Sequence, residues 1–253
     1  MIFRRLILCA LLVGALAGAL LSAVQPLGVL PQIAAAEVFE SAGVPDASAD
    51  TADAAHHHED AAWAPADGLE RRLWTVAANI GAAFGFALLL IPAIALWDHA
   101  GTQPRAHWRS GLVWGAAAWA CVFALPAVGL PPEIPGAAAA ALHERQQWWL
   151  LAAVCGAAGL GGLAFLRAPL RWAAPLLIAL PFAIGAPQLA VGTFSGYPAD
   201  IAAQLEAIAA RFAIATALTN AVFWLAMGAL SGSVVARWLR PALHTEGGLP
   251  AAA

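Results

Sequence analysis

The sequence predicts an all-α fold, a polytopic membrane helix bundle, and three observations carry that prediction. Hydrophobic residues make up 62% of the 253-residue chain and charged residues 11%, against about 25% charged in soluble domains, and the mean hydropathy is +0.75. Apolar runs of roughly 20 residues, the length that crosses a hydrocarbon core of about 30 Å, recur along the chain. Tryptophans gather at the ends of those runs, at Trp63, Trp74, Trp97, Trp108, Trp148, Trp149, Trp172 and Trp238, as an interfacial aromatic belt requires.

Six transmembrane helices are expected, at about 6–25, 73–97, 111–128, 148–166, 172–188 and 212–236. The first follows Arg4 and Arg5 and stops at Pro26. Its apolar stretch is longer than the usual signal-peptide core of about 7 to 15 residues, which favours a retained anchor; Ala34 to Ala36 would serve as a cleavage site, leaving five spans. Beyond it, Ile33 to Phe39 reads as a short helix that sets Glu37 and Glu40 on one face. Residues 41–62 form a flexible, His- and acid-rich loop without apolar periodicity. The second span opens after Pro65, where Asp67 and Glu70 have the spacing of a capping box, so Asp67 reads as a helix cap. The fifth is the weakest, being short and holding Pro175, Pro181 and Pro187.

Positive charge favours the cytoplasmic side. With the N-terminus inside, eight arginines fall inside (Arg4, Arg5, Arg105, Arg109, Arg167, Arg171, Arg237, Arg240) and Arg71, Arg72, Arg145 and Arg211 outside. Of the acids, Asp98 and Glu246 fall inside and the other thirteen outside. Both termini are expected in the cytoplasm, and the outer face should attract cations.

Several classes are excluded or disfavoured. All twelve basic residues are arginine, so no Walker A loop and no Schiff-base lysine exists. His143 opens HERQQ, where a zinc protease helix needs a second histidine and Gln147 stands. The spans hold no Asp, Glu, Arg or His, which argues against a proton pump, since pumps relay charge through such groups. No enzyme is expected. Cys9, Cys121 and Cys155 are scattered in apolar segments and read as small buried hydrophobes.

Candidate metal ligands concentrate in the outer region: Glu37, Glu40, His56, His57, His58, Glu59 and Asp60. Neutral imidazole suits borderline divalent ions, and adjacent carboxylates add attracting charge. The plain alternative, a solvated polar spacer, stays open. Polar positions at or within the spans give a candidate pathway of Gln25, Asn79, Gln188, Thr216 and Asn220; interhelical hydrogen bonding is their bland role. Gln188 lies in IGAPQ, where a proline-broken segment would expose an ion path or merely end a helix. GxxxG pairs at Gly14/Gly18, Gly81/Gly85, Gly111/Gly115 and Gly228/Gly232 allow close helix approach, hence a compact bundle or a homo-oligomer.

The succession FRRLILCALLVGALAGALLSAVQ, AEVFE, the His-rich acidic loop, WAPADGLERRLWT, PGAAAAALHERQQWW, IGAPQ and TNAVFWLAMGALSG resembles the CbtA family of proposed cobalt transporter subunits over nearly the whole chain. The resemblance implies a bacterial inner-membrane component of cobalt uptake for cobalamin synthesis. It also implies a partner, a small single-span His-rich CbtB-like subunit, with no nucleic acid and no tightly bound cofactor, the divalent ion (Co, with Ni open) being substrate. The family is described with five spans. It supplies no ligand positions, so the residues above follow from type and placement alone. A non-transporting metal-binding or scaffolding subunit that presents metal to a partner pore is the alternative.

Overall fold

The computed structural model describes residues 2–41, 65–66, 68–101, 103–189 and 192–246. Every regular element among them is helical: α1 (Ile2–Ser41), α2 (Leu69–His99), α3 (Trp108–Trp119), α4 (Leu125–Gly129), α5 (Leu142–Phe165), α6 (Ala174–Ile184), α7 (Ala199–Val234) and α8 (Arg240–Glu246). One π turn, Ala120–Ala124, joins α3 to α4; another, Val235–Leu239, joins α7 to α8; a 3-10 turn, Leu170–Ala173, leads into α6. The protein is a polytopic helical bundle. Five stretches are long and apolar enough to cross a membrane, Ile2–Phe39, Leu69–His99, Trp108–Gly129, Leu142–Phe165 and Ala199–Leu243, with a shorter apolar stretch at Leu170–Ile184. The expected fifth span is thus the short one. At 1.5 Å per residue the eleven residues of α6 extend about 16 Å.

The expected end of the first helix at Pro26 is corrected. The helix runs on through Pro26 and Pro31 to Ser41, about 60 Å in all, twice what a bilayer needs. An interior proline costs a lone helix one backbone hydrogen bond; here α7 packs along the continuation and supplies the compensating contact. α7 begins at Ala199, thirteen residues before the expected span, for the same reason. The outer halves of α1 and α7 bury Val29, Ala36, Leu205, Ile208 and Phe212 together with Ile134 and Phe194 from the connecting segments.

Within the bilayer the core is built on Val13, Ile91, Ile94, Trp224, Met227 and Leu239. Lipid tails are as apolar as these side chains, so fit rather than water exclusion decides which helices meet. Glycines set the fit. A Cβ on Gly14 or Gly18 would come within 2.7 Å and 2.6 Å of the α2 backbone at Phe84 and Ile80. Gly111 and Gly115 of α3 cross Gly228 and Gly232 of α7 so closely that a Cβ on any of the four would overlap the facing backbone. The fourth pair differs: Gly81 and Gly85 meet nothing within 4 Å. α5 and α6 form an antiparallel hairpin in which Gly159 and Gly162 receive Ile178 and Ala174.

At the start of α2 the expected capping box gives way to a different cap. The N-cap is Gly68, at φ 91°, with no side-chain hydrogen bond, a backbone region that suits glycine; Asp67 lies outside the described residues. Among the tryptophans, Trp148 is buried, and its indole N–H donates to the Pro181 carbonyl at 3.2 Å. It fastens α5 to α6 instead of joining the lipid-facing belt formed by Trp74, Trp108, Trp172 and Trp238, which are exposed. The three cysteines are free and buried.

Candidate functional site

The antiparallel pairings sort the arginines to two ends of the bundle. Arg4, Arg5, Arg105, Arg109, Arg167, Arg171, Arg237 and Arg240 share one end; Arg71, Arg72, Arg145 and Arg211 belong to the other, with Glu37, Glu133, Glu144, Asp200 and Glu206.

The acid-rich end holds an open cavity of about 520 Å³ between the segment after α4, the segment after α6 and the first turns of α7. Its polar side chains are Glu133, Gln188, Thr193 and Glu206, over a floor of Ala209, Ala210 and Ala213. The two segments are tied by the Ala138 amide donating to the Thr193 carbonyl at 2.9 Å. Gly136, at φ 79°, lies under the Tyr197 hydroxyl, where a Cβ would come within 2.5 Å of its oxygen. Apolar anchoring by Ile134 and Phe194 fixes both segments on α7. Glu133 is ion-paired with Arg145, which neutralises it. Among the described residues, no hydrogen bond or ion pair reaches Glu206, which stays exposed.

On α7, Thr216 and Asn220 follow Ala213 by three and seven positions, continuing the cavity stripe into the membrane. The Thr216 hydroxyl is buried without a hydrogen-bond partner among the described residues. Asn220 donates through Nδ2 to the Thr216 carbonyl at 3.0 Å, leaving its own carbonyl oxygen for other use.

The family known by the description "probable cobalt transporter subunit", CbtA, matches residues 3–236. The chain belongs to the CbtA family. No curated protein and no solved structure matches it. This CbtA chain is therefore a multi-pass membrane protein of a transporter-subunit family.

Of the ligand candidates, Glu37 lies in the outer part of α1, where its Oε1 accepts from Arg71 Nη2 at 2.9 Å. The pair closes the base of the connection between α1 and α2. Glu40 falls in the last turn of α1, with its side chain outside the described residues, and His56, His57, His58, Glu59 and Asp60 lie outside them entirely, as does most of the expected flexible loop 41–62. Among the described residues, no group of three or more His, Cys, Asp or Glu converges.

The pathway candidates divide. Gln25 and Asn79 are joined: Asn79 Nδ2 donates to Gln25 Oε1 and to Ser22 Oγ, each at 2.9 Å, and Ser22 donates to the Gly18 carbonyl. This is hydrogen bonding between α1 and α2 next to the Pro26 position. Gln188 instead lines the cavity, while Thr216 and Asn220 lie further along α7, joined by the Asn220 Nδ2 to Thr216 carbonyl hydrogen bond.

Sequence reasoning missed two features. Glu133 and Glu206 stood as scattered acids with no motif, and only folding sets them around one space. Asp98 was read only as a cytoplasmic-side charge. It is buried, accepting Arg105 N and Ala106 N at 2.7 Å each and Arg240 through Nε (2.7 Å) and Nη2 (3.0 Å), while Nη2 also reaches the Ala106 carbonyl. This clamp joins α2, the α2–α3 turn and α8 at the arginine-rich end.

Proposed function

We propose that this CbtA chain is the membrane subunit of a divalent metal uptake system, with cobalt as substrate for cobalamin synthesis. It lies in the bacterial inner membrane with both termini cytoplasmic. In this reading the arginine-rich end faces the cytoplasm and the acid-rich end faces out. The external His/acid loop, His56 to Asp60 with Glu37 and Glu40 at its near end, collects the ion. A small single-span His-rich CbtB-like subunit is its partner, and no catalysis is involved. The observation that carries the reading, beyond the family match, is the open cavity with Glu133 and Glu206 at the end of the bundle where α1 stops and α2 starts.

The test is cobalt accumulation at limiting metal in cells with and without the chain, alongside Ni, Zn and Cu. Cobalt accumulation that depends on the chain supports the proposal; none refutes it. Deleting His56 to His58 should reduce accumulation, and the reduction should shrink below about pH 6, where imidazoles near their pKa of about 6.5 become protonated and lose metal affinity. Unchanged accumulation would remove the loop's collecting role.

The apolar runs expected as spans from the sequence contain no Asp, Glu, Arg or His, and that observation favours one second reading, a subunit that binds metal and presents it to a partner pore. Metal flux through liposomes holding the purified chain alone would exclude this alternative.

A further inference from the structure

We infer that the acid-end cavity is an outer vestibule that holds the divalent cation with its water shell intact, with Glu206 as counter-charge and the polar stripe of α7 as its continuation inward. The inference rests on the uptake reading above and adds where, and in what chemical state, the ion is first held within the bundle.

Space is the first argument. An octahedral shell of six waters, at about 30 Å³ apiece, takes roughly 180 Å³, and the cavity offers about 520 Å³. A hydrated ion fits with room to exchange, whereas walls this far apart cannot close on a bare ion, whose ligands must sit at about 2.0–2.2 Å.

Donor chemistry is the second. The polar side chains of the wall, Glu133, Gln188, Thr193 and Glu206, include no imidazole or thiolate, the ligands that would hold a borderline transition metal directly. Since Arg145 neutralises Glu133, the cavity's attraction falls to Glu206. Carboxylate, amide and hydroxyl oxygens are, however, good acceptors for the hydrogens of metal-bound water, which are more acidic than those of bulk water. The vestibule thus reads charge and size and leaves the choice of element to another step.

Continuity is the third. Below Glu206, α7 presents only the small side chains of Ala209, Ala210 and Ala213 to the cavity, and Asn220, seven residues after Ala213, follows on the same side of the helix about two turns further in.

Hexaamminecobalt(III) tests this directly. It has the size and outward-facing hydrogens of an octahedral hydrated ion, but its ligands do not exchange, so no imidazole can coordinate it. In cells showing chain-dependent cobalt uptake, it should inhibit uptake competitively. A divalent ion and one carboxylate about 5 Å apart, with salt screening, give roughly fivefold in affinity. Glu206→Gln should accordingly raise the half-saturating cobalt concentration about fivefold and the inhibition constant of the trivalent hexaammine about tenfold, and Glu206→Asp should restore both. Deletion of His56 to His58 should leave the inhibition in place. No inhibition, or inhibition and half-saturation unchanged in Glu206→Gln, would overturn the vestibule while leaving the uptake reading standing. Absence of chain-dependent uptake in the unmodified protein would overturn the uptake reading itself.

Discussion

Removing the Asp98 carboxylate tests how the arginine-rich end is held. Asp98 accepts four hydrogen bonds, at 2.7, 2.7, 2.7 and 3.0 Å, from two backbone amides and one guanidinium. Asp98→Ala leaves the two amides without their acceptor, at about 1 kcal/mol each. It also leaves Arg240 with the Ala106 carbonyl alone. Breaking a buried pair costs about 3–5 kcal/mol; with Arg240 about one-fifth exposed, the low end applies, so the total is roughly 5 kcal/mol. Arg240→Ala should cost less, about 3 kcal/mol, because both amides still satisfy the Asp98 carboxylate. If the two side chains act as one unit, the double variant should fall short of the sum by about 3 kcal/mol, the pair cost that both single variants share. The assay is unfolding in bicelles by SDS titration, followed through the fluorescence of the eleven tryptophans. Losses below about 1 kcal/mol for each single variant, or strict additivity in the double, would refute the clamp.

Gly228→Val should separate α3 from α7 and cost about 3 kcal/mol, because its Cβ overlaps the Gly111 carbonyl. Gly85→Ala meets open space and should be neutral or stabilising by up to about 1 kcal/mol, as for glycine in a helix interior; the same SDS titration reads both. The Glu37–Arg71 pair is about half exposed, so Glu37→Gln should change stability by less than about 1 kcal/mol. A larger loss in that variant would show that the pair holds the α1–α2 connection together.

The helices were legible because membrane composition writes them in runs of apolar residues, which survive any detail of packing. What escaped was every feature that depends on a distant partner. Pro26 looked like a stop because proline ends a lone helix, yet a second helix lying alongside keeps α1 continuous through it and through Pro31. The start of α7 was hidden because Gln204, Glu206 and Arg211 interrupt its hydropathy while Leu205, Ile208 and Phe212 keep the buried face. Asp98 and Arg240 are 142 residues apart, and nothing in either neighbourhood announces the other. Of the candidate site, Gln188 was singled out for its proline-broken setting and does line the cavity. Glu133 and Glu206 carried no local signal at all.

The π turn Ala120–Ala124 has a mechanical consequence. α1, α2, α3 and α7 are locked to one another by glycine crossings, by the clamp at one end and by the apolar cluster at the other, and so behave as a stator. The α5–α6 hairpin packs chiefly on itself, and it touches the rest mainly through the π turn and its flanks, where Gly156 meets Leu125 and Cys121, and Gly129 meets Trp148. A π turn has a wider, weaker hydrogen-bond ladder than an α turn and recurs at functional sites. The hairpin therefore meets the rest of the bundle at the one place where the α3–α4 stretch departs from α-helical geometry. Because Ile134 and Phe194 hold the segments that enter and leave the hairpin on α7, the walls of the cavity belong to the stator and keep its shape independent of how the hairpin docks.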